Sequence, residues 1–342
     1  MSGPSIGVIV PNYNDTRHLT RSLCSVLEQQ DGPDELIVLD DCSTDHSVEL
    51  IRSLIAGDRR AQLVLNPENL GTNRTIAEGL RRAGSDYVVC LAANDFLLPG
   101  IFTRARRALG RAPDAGLWSA MAWLVDEHDR PMRLHPSAVV SLGDRFLTPA
   151  RCSKLAYRLG NWFTGTTAIY HRETLLAVGG FDPRYGAPAD LFAALTVSGL
   201  RGAIFTPEPY AAIRVHQGSY SSRALEDVSG IESMLGKLRM RGPQLAPEMF
   251  TPEMLERTAL RFYFASVRAT SGTALPAVAM RVNPWRRIAL GLVRKALPIP
   301  ALRVVAAFIV LRSFDLLPAL WYRGFGWLFV RIQYRFSRKK PL

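Results

Sequence analysis

Tyr87-Val88-Val89-Cys90-Leu91-Ala92-Ala93-Asn94-Asp95 is the stretch that decides how this chain is read. From Tyr87 to Ala93 every residue is apolar or aromatic, the composition of a strand buried on both faces. The run stops at Asn94-Asp95, and Pro99-Gly100 follows as a turn signal. In open α/β sheets, ligands bind outside the carboxyl ends of the strands. A carboxylate at that point is therefore a candidate ligand-binding group, and Asp95 is read as a holder of a divalent metal.

Outward from this strand the pattern repeats. Ser5 to Val10 predicts another buried strand, ending in the turn formers Pro11-Asn12-Tyr13-Asn14-Asp15. Leu19, Leu23, Val26 and Leu27 then recur at helical spacing. Glu35 to Leu39 predicts a second strand, closed by Asp40-Asp41-Cys42-Ser43-Thr44-Asp45. Ser43 or Thr44 is expected to cap the helix that runs on through Ile55. Ala61 to Leu65 predicts a third strand, followed by Asn69-Leu70-Gly71-Thr72-Asn73 and a helix to about Ala83. This alternation predicts an α/β fold with a parallel sheet and right-handed crossovers. Each strand ends in polar residues: Asn12 and Asn14, Asp40 and Asp41, Asn69, then Asn94 and Asp95. Any one set alone reads as turn or cap residues; all four on one sheet edge favour a site. Gly-x-Gly-x-x-Gly is absent after the first strand, and Gly-x-x-x-x-Gly-Lys is absent altogether, which argues against a dinucleotide fingerprint and a P-loop.

Val8-Ile9-Val10-Pro11-Asn12-Tyr13-Asn14, Glu35 through Asp45, and Leu91-Ala92-Ala93-Asn94-Asp95 resemble the corresponding stretches of the family-2 inverting glycosyltransferases. The second is close to that family's Asp-Asp-x-Ser-x-Asp signature and is the most specific of the three. The resemblance covers about residues 5–220. It implies a Rossmann-like GT-A sheet flanked by helices and a nucleotide-diphosphate sugar as donor. Pro11, Tyr13 and Asp41 would contact the base and ribose, with Asn12, Asn14, Asp15, Asp40, Asn69 and Asn94 around them. The family usually writes its metal stretch as Asp-x-Asp-Asp; here Ala92 and Asn94 stand at the first two acidic positions, and Asp95 is the retained ligand for Mn²⁺ or Mg²⁺. Gly179-Gly180-Phe181-Asp182 followed by Ala189-Asp190 is similar to the family's glycine turn and base pair, with Ala189 in place of Glu. Asp190 is the expected base, although an acid there also suits a helix first turn. Arg214-Val215-His216 resembles the family's Arg-x-His, so Arg214 is expected on the donor and His216 as a second metal-site residue. Trp162 and Thr164 are acceptor-side candidates. The chain lacks the Gln-x-x-Arg-Trp stretch of processive members, which implies transfer of a single sugar to a hydroxyl, as in polysaccharide biosynthesis. The departures at positions 92, 94 and 189 support an alternative: a catalytically silent GT-A domain that binds a nucleotide or a partner protein.

The chain has 342 residues and a net charge of +12. Residues 281–342 hold 13 Lys/Arg and one acid, Asp315, leaving 29 basic and 29 acidic residues before Arg281. The expected organisation is a catalytic domain over 1–223, a helical connector over 224–280 and a basic amphipathic helical tail over 281–342. In the tail, Trp285, Ile288, Leu292 and Ala296 share one helical face; Trp321, Phe325, Leu328, Ile332 and Phe336 form another apolar stripe beside Arg331, Arg335 and Arg338. Basic amphipathic helices with Trp and Phe lie in membrane interfaces. An anionic membrane surface is thus the expected partner, with a lipid-linked or cell-surface glycan precursor as acceptor. Nucleic acid fits less well, because the aromatics form continuous stripes rather than separate stacking platforms. No run of about 18 apolar residues occurs, Met1 to Asn12 lacks leader character, and the four cysteines form no Cys-x-x-Cys pair. These features lead us to expect a cytoplasmic protein, peripheral on the inner face of the cell membrane.

Overall fold

Alternating apolar side chains from the first strand feed two layers of core. In the computed structural model, which describes residues 3–215, 224–297, 299–312 and 315, β1 (Ile6–Asn12) turns Val8 and Val10 toward one apolar cluster and Ile9 toward the other. Val8 and Val10 meet Leu19, Leu23 and Val26 of α1 (Thr16–Leu27) and Ile101 and Phe102 of α4 (Ile101–Leu109). Ile9 meets Ile76 and Leu80 of α3 (Thr72–Arg82). Each such fully buried side chain contributes about 1.5–3 kcal/mol relative to exposure. The α3 helix lies close on the sheet because Gly79 has no side chain: a Cβ there would meet Ile9 Cγ2 at 2.6 Å.

One mixed sheet runs β3-β2-β1-β4-β9-β6-β10-β5. Its first half is parallel, as the alternating pattern predicts, and comprises β1, β2 (Glu35–Asp40), β3 (Ala61–Leu65) and β4 (Tyr87–Cys90). Helix α2 (Ser47–Leu54) lies between β2 and β3. The second half departs from the all-parallel expectation. Strand β9 (Ile169–His171) pairs antiparallel with both β4 and β6 (Leu117–Val125), and β5 (Phe96–Leu97) antiparallel with β10 (Ala203–Arg214). The short β7 (Pro131–Leu134) pairs with β6, inside a segment whose polarity reads as loop, and β8 (Arg145–Leu147) with β10. Strand β4 stops at Cys90, three residues before its apolar run ends. Leu91 and Ala93 stay buried although they are outside the ladder.

The remaining helices are α5 (Pro149–Leu159), α6 (Arg172–Ala177), α7 (Ala189–Arg201), α8 (Val228–Leu245), α9 (Pro252–Ala269), α10 (Leu275–Ala279), α11 (Pro284–Ala296) and α12 (Pro300–Arg312). Two helix ends differ from the sequence reading. α2 is capped at His46, not Ser43 or Thr44, which are drawn into the loop described below. α7 runs through Gly199, which reads as a stop signal after the Leu191–Val197 pattern, and ends at Gly202 with φ +73°. Gly199 serves packing instead, since a Cβ there would sit 2.9 Å from Met249 Cβ. The helices after residue 224 share an apolar cluster with the sheet, Phe262 of α9 packing 6.2 Å from Phe192 of α7. No helix among the described residues is long and apolar enough to cross a membrane.

Candidate active site

The carboxyl ends of β1, β2 and β4 lie side by side, and a polar network holds the loops that leave them. Asp40, buried, accepts from Asn12 Nδ2 at 2.8 Å and from Ser43 N and Oγ at 2.9 and 2.6 Å. Asn14, at φ +53°, accepts from Thr44 N at 2.7 Å through Oδ1 and donates its own N–H to Ser43 Oγ at 2.9 Å. The first two loops are thereby pinned together. Asp45 locks their far side on Thr16 and Ser47; although burial alone would raise its pKa, the hydrogen bonds from Ser47 and Thr16 lower it to about 2. Asp41 accepts from Asn66 Nδ2 at 2.8 Å and from Leu70 N and Gly71 N at 2.9 and 2.8 Å. Those donors outweigh the burial that opposes ionisation and hold its pKa below the usual carboxylate value. Asn69 accepts from Gly71 N at 3.0 Å and, like Tyr13 and Cys42, is exposed. Cys42 sits at φ +65°. Asp15 precedes α1 and takes the His18 N–H on its carbonyl at 3.1 Å. Asp41 is thus a buried carboxylate that fixes the Asn66–Gly71 loop at the sheet edge.

The second group lies beyond β4. Asp95 is buried, its Oδ2 accepting from Thr166 Oγ1 at 3.0 Å and its Oδ1 from the Arg214 backbone N–H at 3.0 Å. Arg214, expected on the donor, is turned inward. Its guanidinium donates to Asp129 Oδ1 at 2.7 Å and to the Asn94 carbonyl, and it lies 5.3 Å from the Phe96 ring centroid. It thus sets the Asn94-Asp95 turn rather than facing outward. Asp190 lies in the first turn of α7, with Leu191 N donating to its Oδ1 at 2.7 Å. A Cβ at Gly165 would lie 2.9 Å from Asp190 Oδ2, so the Gly165–Thr167 turn stands between the two carboxylates, touching Asp190 at Gly165 and Asp95 at Thr166. Burial raises the pKa of Asp190 against the opposing backbone donors. Burial first, and the nearby Asp190 charge second, also push up the Cys90 thiol and the Tyr170 hydroxyl.

Asp190 opens on a cleft of about 610 Å³ whose walls include Asn161, Tyr185, Leu191, Met234, Lys237 and Phe262. Asn73 Nδ2 donates to Gly186 O at 2.9 Å, tying α3 to the turn that forms its near wall. The acceptor-side candidates are corrected here. Trp162 is fully buried and packs edge-on against Phe163, because the apolar cluster beneath the sheet claims its ring. Thr164 is buried too, its hydroxyl 2.8 Å from Ser137 Oγ and its N–H on Ser119 Oγ; it anchors the Gly165 turn. His216 lies outside the described residues, as does the stripe from Trp321 to Phe336.

Among the described residues no group of three His, Cys, Asp or Glu side chains is placed to hold a metal. Asn94 and Asp95 are oxygen donors of the kind hard cations take, and magnesium is commonly bound by one or two carboxylates plus substrate phosphates. The residues fit a metal shared with a diphosphate and do not fit a preformed cage.

Several of these residues carry no sequence signal of their own. Thr166 is one of three threonines around a glycine, and Asp129 is a turn residue at φ +63°. Only the closure of β6, β9 and β10 brings them to Asp95.

A half-parallel sheet flanked by helices, with polar strand ends along one edge, defines a GT-A type of fold. Residues 7–173, just under half of the chain, match the family described as glycosyl transferase family 2 and form a domain of that kind. It is 38% identical over 97 residues to an uncharacterized glycosyltransferase of Haemophilus influenzae, covering 28% of this chain and 39% of that one. It is 27% identical over 175 residues to the succinoglycan biosynthesis protein ExoO of Rhizobium meliloti, covering 50% and 49%. The chain spans between 36% and 57% of the length of the first curated relatives it matches. Staphylococcus aureus TarS 1-349, solved with UDP-GlcNAc, superposes with TM-score 0.61 at 17% identity over 97% of this chain and 91% of that one. The mannosyltransferase PcManGT of Pyrobaculum calidifontis, solved with GDP-Man and Mn²⁺, gives 0.53 at 20% identity over 98% and 88%.

Proposed function

We propose that the protein transfers a single sugar, with inversion, from a nucleotide-diphosphate sugar to a hydroxyl of a glycan acceptor, in the catalytic region ending near residue 223. The observation that carries this reading is the pair of carboxylates, buried Asp95 and part-buried Asp190, held on either side of the Gly165–Thr167 turn. Asp190 faces the cleft and Asp95 the nucleotide edge, so an acceptor entering one side would meet a donor lying on the other.

In the reaction the acceptor oxygen bonds to the anomeric carbon as the bond from that carbon to the diphosphate oxygen breaks. Asp190 takes the hydroxyl proton, a step worth about 10²–10⁴-fold. Exposed Tyr13 and the Asp41 edge orient the nucleoside, as relatives solved with UDP-GlcNAc and GDP-Man lead us to expect. Asn94 and Asp95 would hold a divalent cation together with the donor's phosphates; when bound, it supplies Lewis-acid neutralisation of the leaving diphosphate. Thr166 and the Arg214 backbone N–H fix the Asp95 carboxylate so that it meets the phosphates without reorganising. The relation to ExoO supports a polysaccharide precursor as acceptor.

The test combines thermal shift against a panel of nucleotide sugars with release of nucleotide diphosphate in the presence of glycan acceptors. Stabilisation by one donor, with release abolished in Asp190→Asn, supports the reading. Donor binding without release from any donor–acceptor pair would instead support the silent nucleotide-binding domain that Ala92, Asn94 and Ala189 suggest.

A further inference from the structure

Amphipathic helices normally turn their apolar stripe toward the core. Helix α11 does the reverse, and α12, apolar on nearly every side, leaves one of its apolar sides uncovered. On α11, Trp285, Ile288 and Leu292 are exposed, Trp285 by 82%; on α12, Leu302, Val305 and Ile309 are exposed, Val305 by 60%. Each trio has spacing i, i+3 or i+4, so each forms one stripe along its helix. The side that faces the protein is small: Leu290 of α11, with Ala307 and Leu311 of α12. Exposed Arg287, Arg294 and Lys295 accompany the α11 stripe, and no acidic residue occurs between Arg281 and Arg312.

We infer that α11 and α12 dock the protein on an anionic bilayer surface, with the outward stripes in the acyl boundary and the basic side chains among the headgroups. Large exposed apolar patches mark partner or membrane sites, and the charge decides between the occupants. A second copy of this face would bring Arg287, Arg294 and Lys295 of both chains together without acids to neutralise them. Residues 316–342 carry further Lys and Arg and no Asp or Glu, so they offer no complement either. Anionic lipid supplies both the apolar phase and the opposite charge.

The docking face is fixed to the body. Phe308 packs 5.3 Å from Phe264 of α9, and Asp315, just past α12, takes the Arg261 guanidinium at 2.8 Å. Residue 262 between those two α9 positions lines the Asp190 cleft. One helix therefore carries both the cleft wall and the mount of the docking face. The inference stands on exposure and charge, independent of whether sugar is transferred.

Vesicle flotation of the full chain tests it, since that readout needs no donor or acceptor. The protein should float with phosphatidylcholine vesicles that contain phosphatidylglycerol, and far less with phosphatidylcholine alone or at high salt. Replacing Arg294 and Lys295 by Gln should weaken partitioning about fivefold per charge removed. The combination Ile288→Glu, Leu292→Glu and Val305→Glu should abolish flotation while leaving the melting temperature unchanged, because all three sites are exposed. Failure to float with anionic vesicles, or flotation that survives the triple substitution, would overturn the inference. So would a dimer in solution that the same triple substitution converts to monomer, since a second copy would then own the face.

Discussion

Asp190 can accept a proton only while ionised, and its surroundings oppose that state. Burial raises its pKa above the ordinary carboxylate value, and only the Leu191 and its own backbone N–H pull the other way. The acidic limb of the transfer rate should therefore lie above the range of an ordinary aspartate: activity present at higher pH is lost as pH falls through that raised value. A profile of kcat against pH checks this, and Asp190→Asn should remove the limb along with about 10²–10⁴-fold of the rate. Gly165→Ala is a finer probe. Its Cβ would crowd Asp190 Oδ2, which must shift by some tenths of an ångström. About a tenfold loss in kcat is expected, with donor affinity by calorimetry unchanged. Thr166→Val removes a hydrogen bond from the buried Asp95 carboxylate, a contact worth about 1.5–3 kcal/mol; donor binding should weaken roughly tenfold or more. Asp41, Asp95 and Asp190 are legible in the sequence because short signatures flank them. Thr166, Asp129 and the cleft residues Tyr185 and Phe262 are not, since each is brought in from an element far away in the chain. Trp162 shows the converse: an aromatic beside a glycine turn looks like a sugar platform, but nothing local reveals that the core has already claimed its ring.

Among the elements, the paired strand-end loops have a defined acid sensitivity. Asp45 has a folded pKa of about 2 against an ordinary 3.8, and that of Asp41 is lowered as well. Their contribution to stability is fully present above the ordinary value and is lost as pH falls through the folded one. The melting temperature should drop between about pH 4 and pH 2, and Asp45→Asn should flatten that part of the curve. The parallel half of the sheet could be read directly, because period-2 and continuous apolar runs sit between turn formers. The antiparallel insertion of β9 could not. Three residues carry too little pattern to show direction, and β9 is set by its partners Tyr87–Val89 and Leu117–Trp118. Gly199 imitates a helix end for a similar reason. Glycine there admits Met249 across the interface, a long-range need that resembles a stop signal when only neighbours are seen. Gly199→Val should overpack that contact and cost about 1–3 kcal/mol, measured by urea unfolding.

For the molecule as a whole, the mount between the sheet body and the basic end includes a buried ionic cluster in which Asp315 takes both Arg261 and Arg312. Arg261 donates to Asp315 and to the Ala156 and Tyr157 carbonyls of α5, and both partners are almost fully enclosed. Asp315→Ala would strand the guanidinium in the interior, at about 3–5 kcal/mol. Faster amide exchange in α12 than in β1 would localise the damage. The concentration of basic charge after Arg281 could be counted from the chain; that it accompanies apolar stripes facing outward required the packed helices.

Cys42 gives the protein a built-in reporter. Its thiol is exposed on the loop beside Asp41, whereas burial raises the thiol pKa values of Cys24, Cys90 and Cys152 and slows their alkylation. A maleimide should thus label one position first, and a donor seated on that edge should shield it. Peptide mass spectrometry of alkylated protein would then trace occupancy of the nucleotide edge without any turnover.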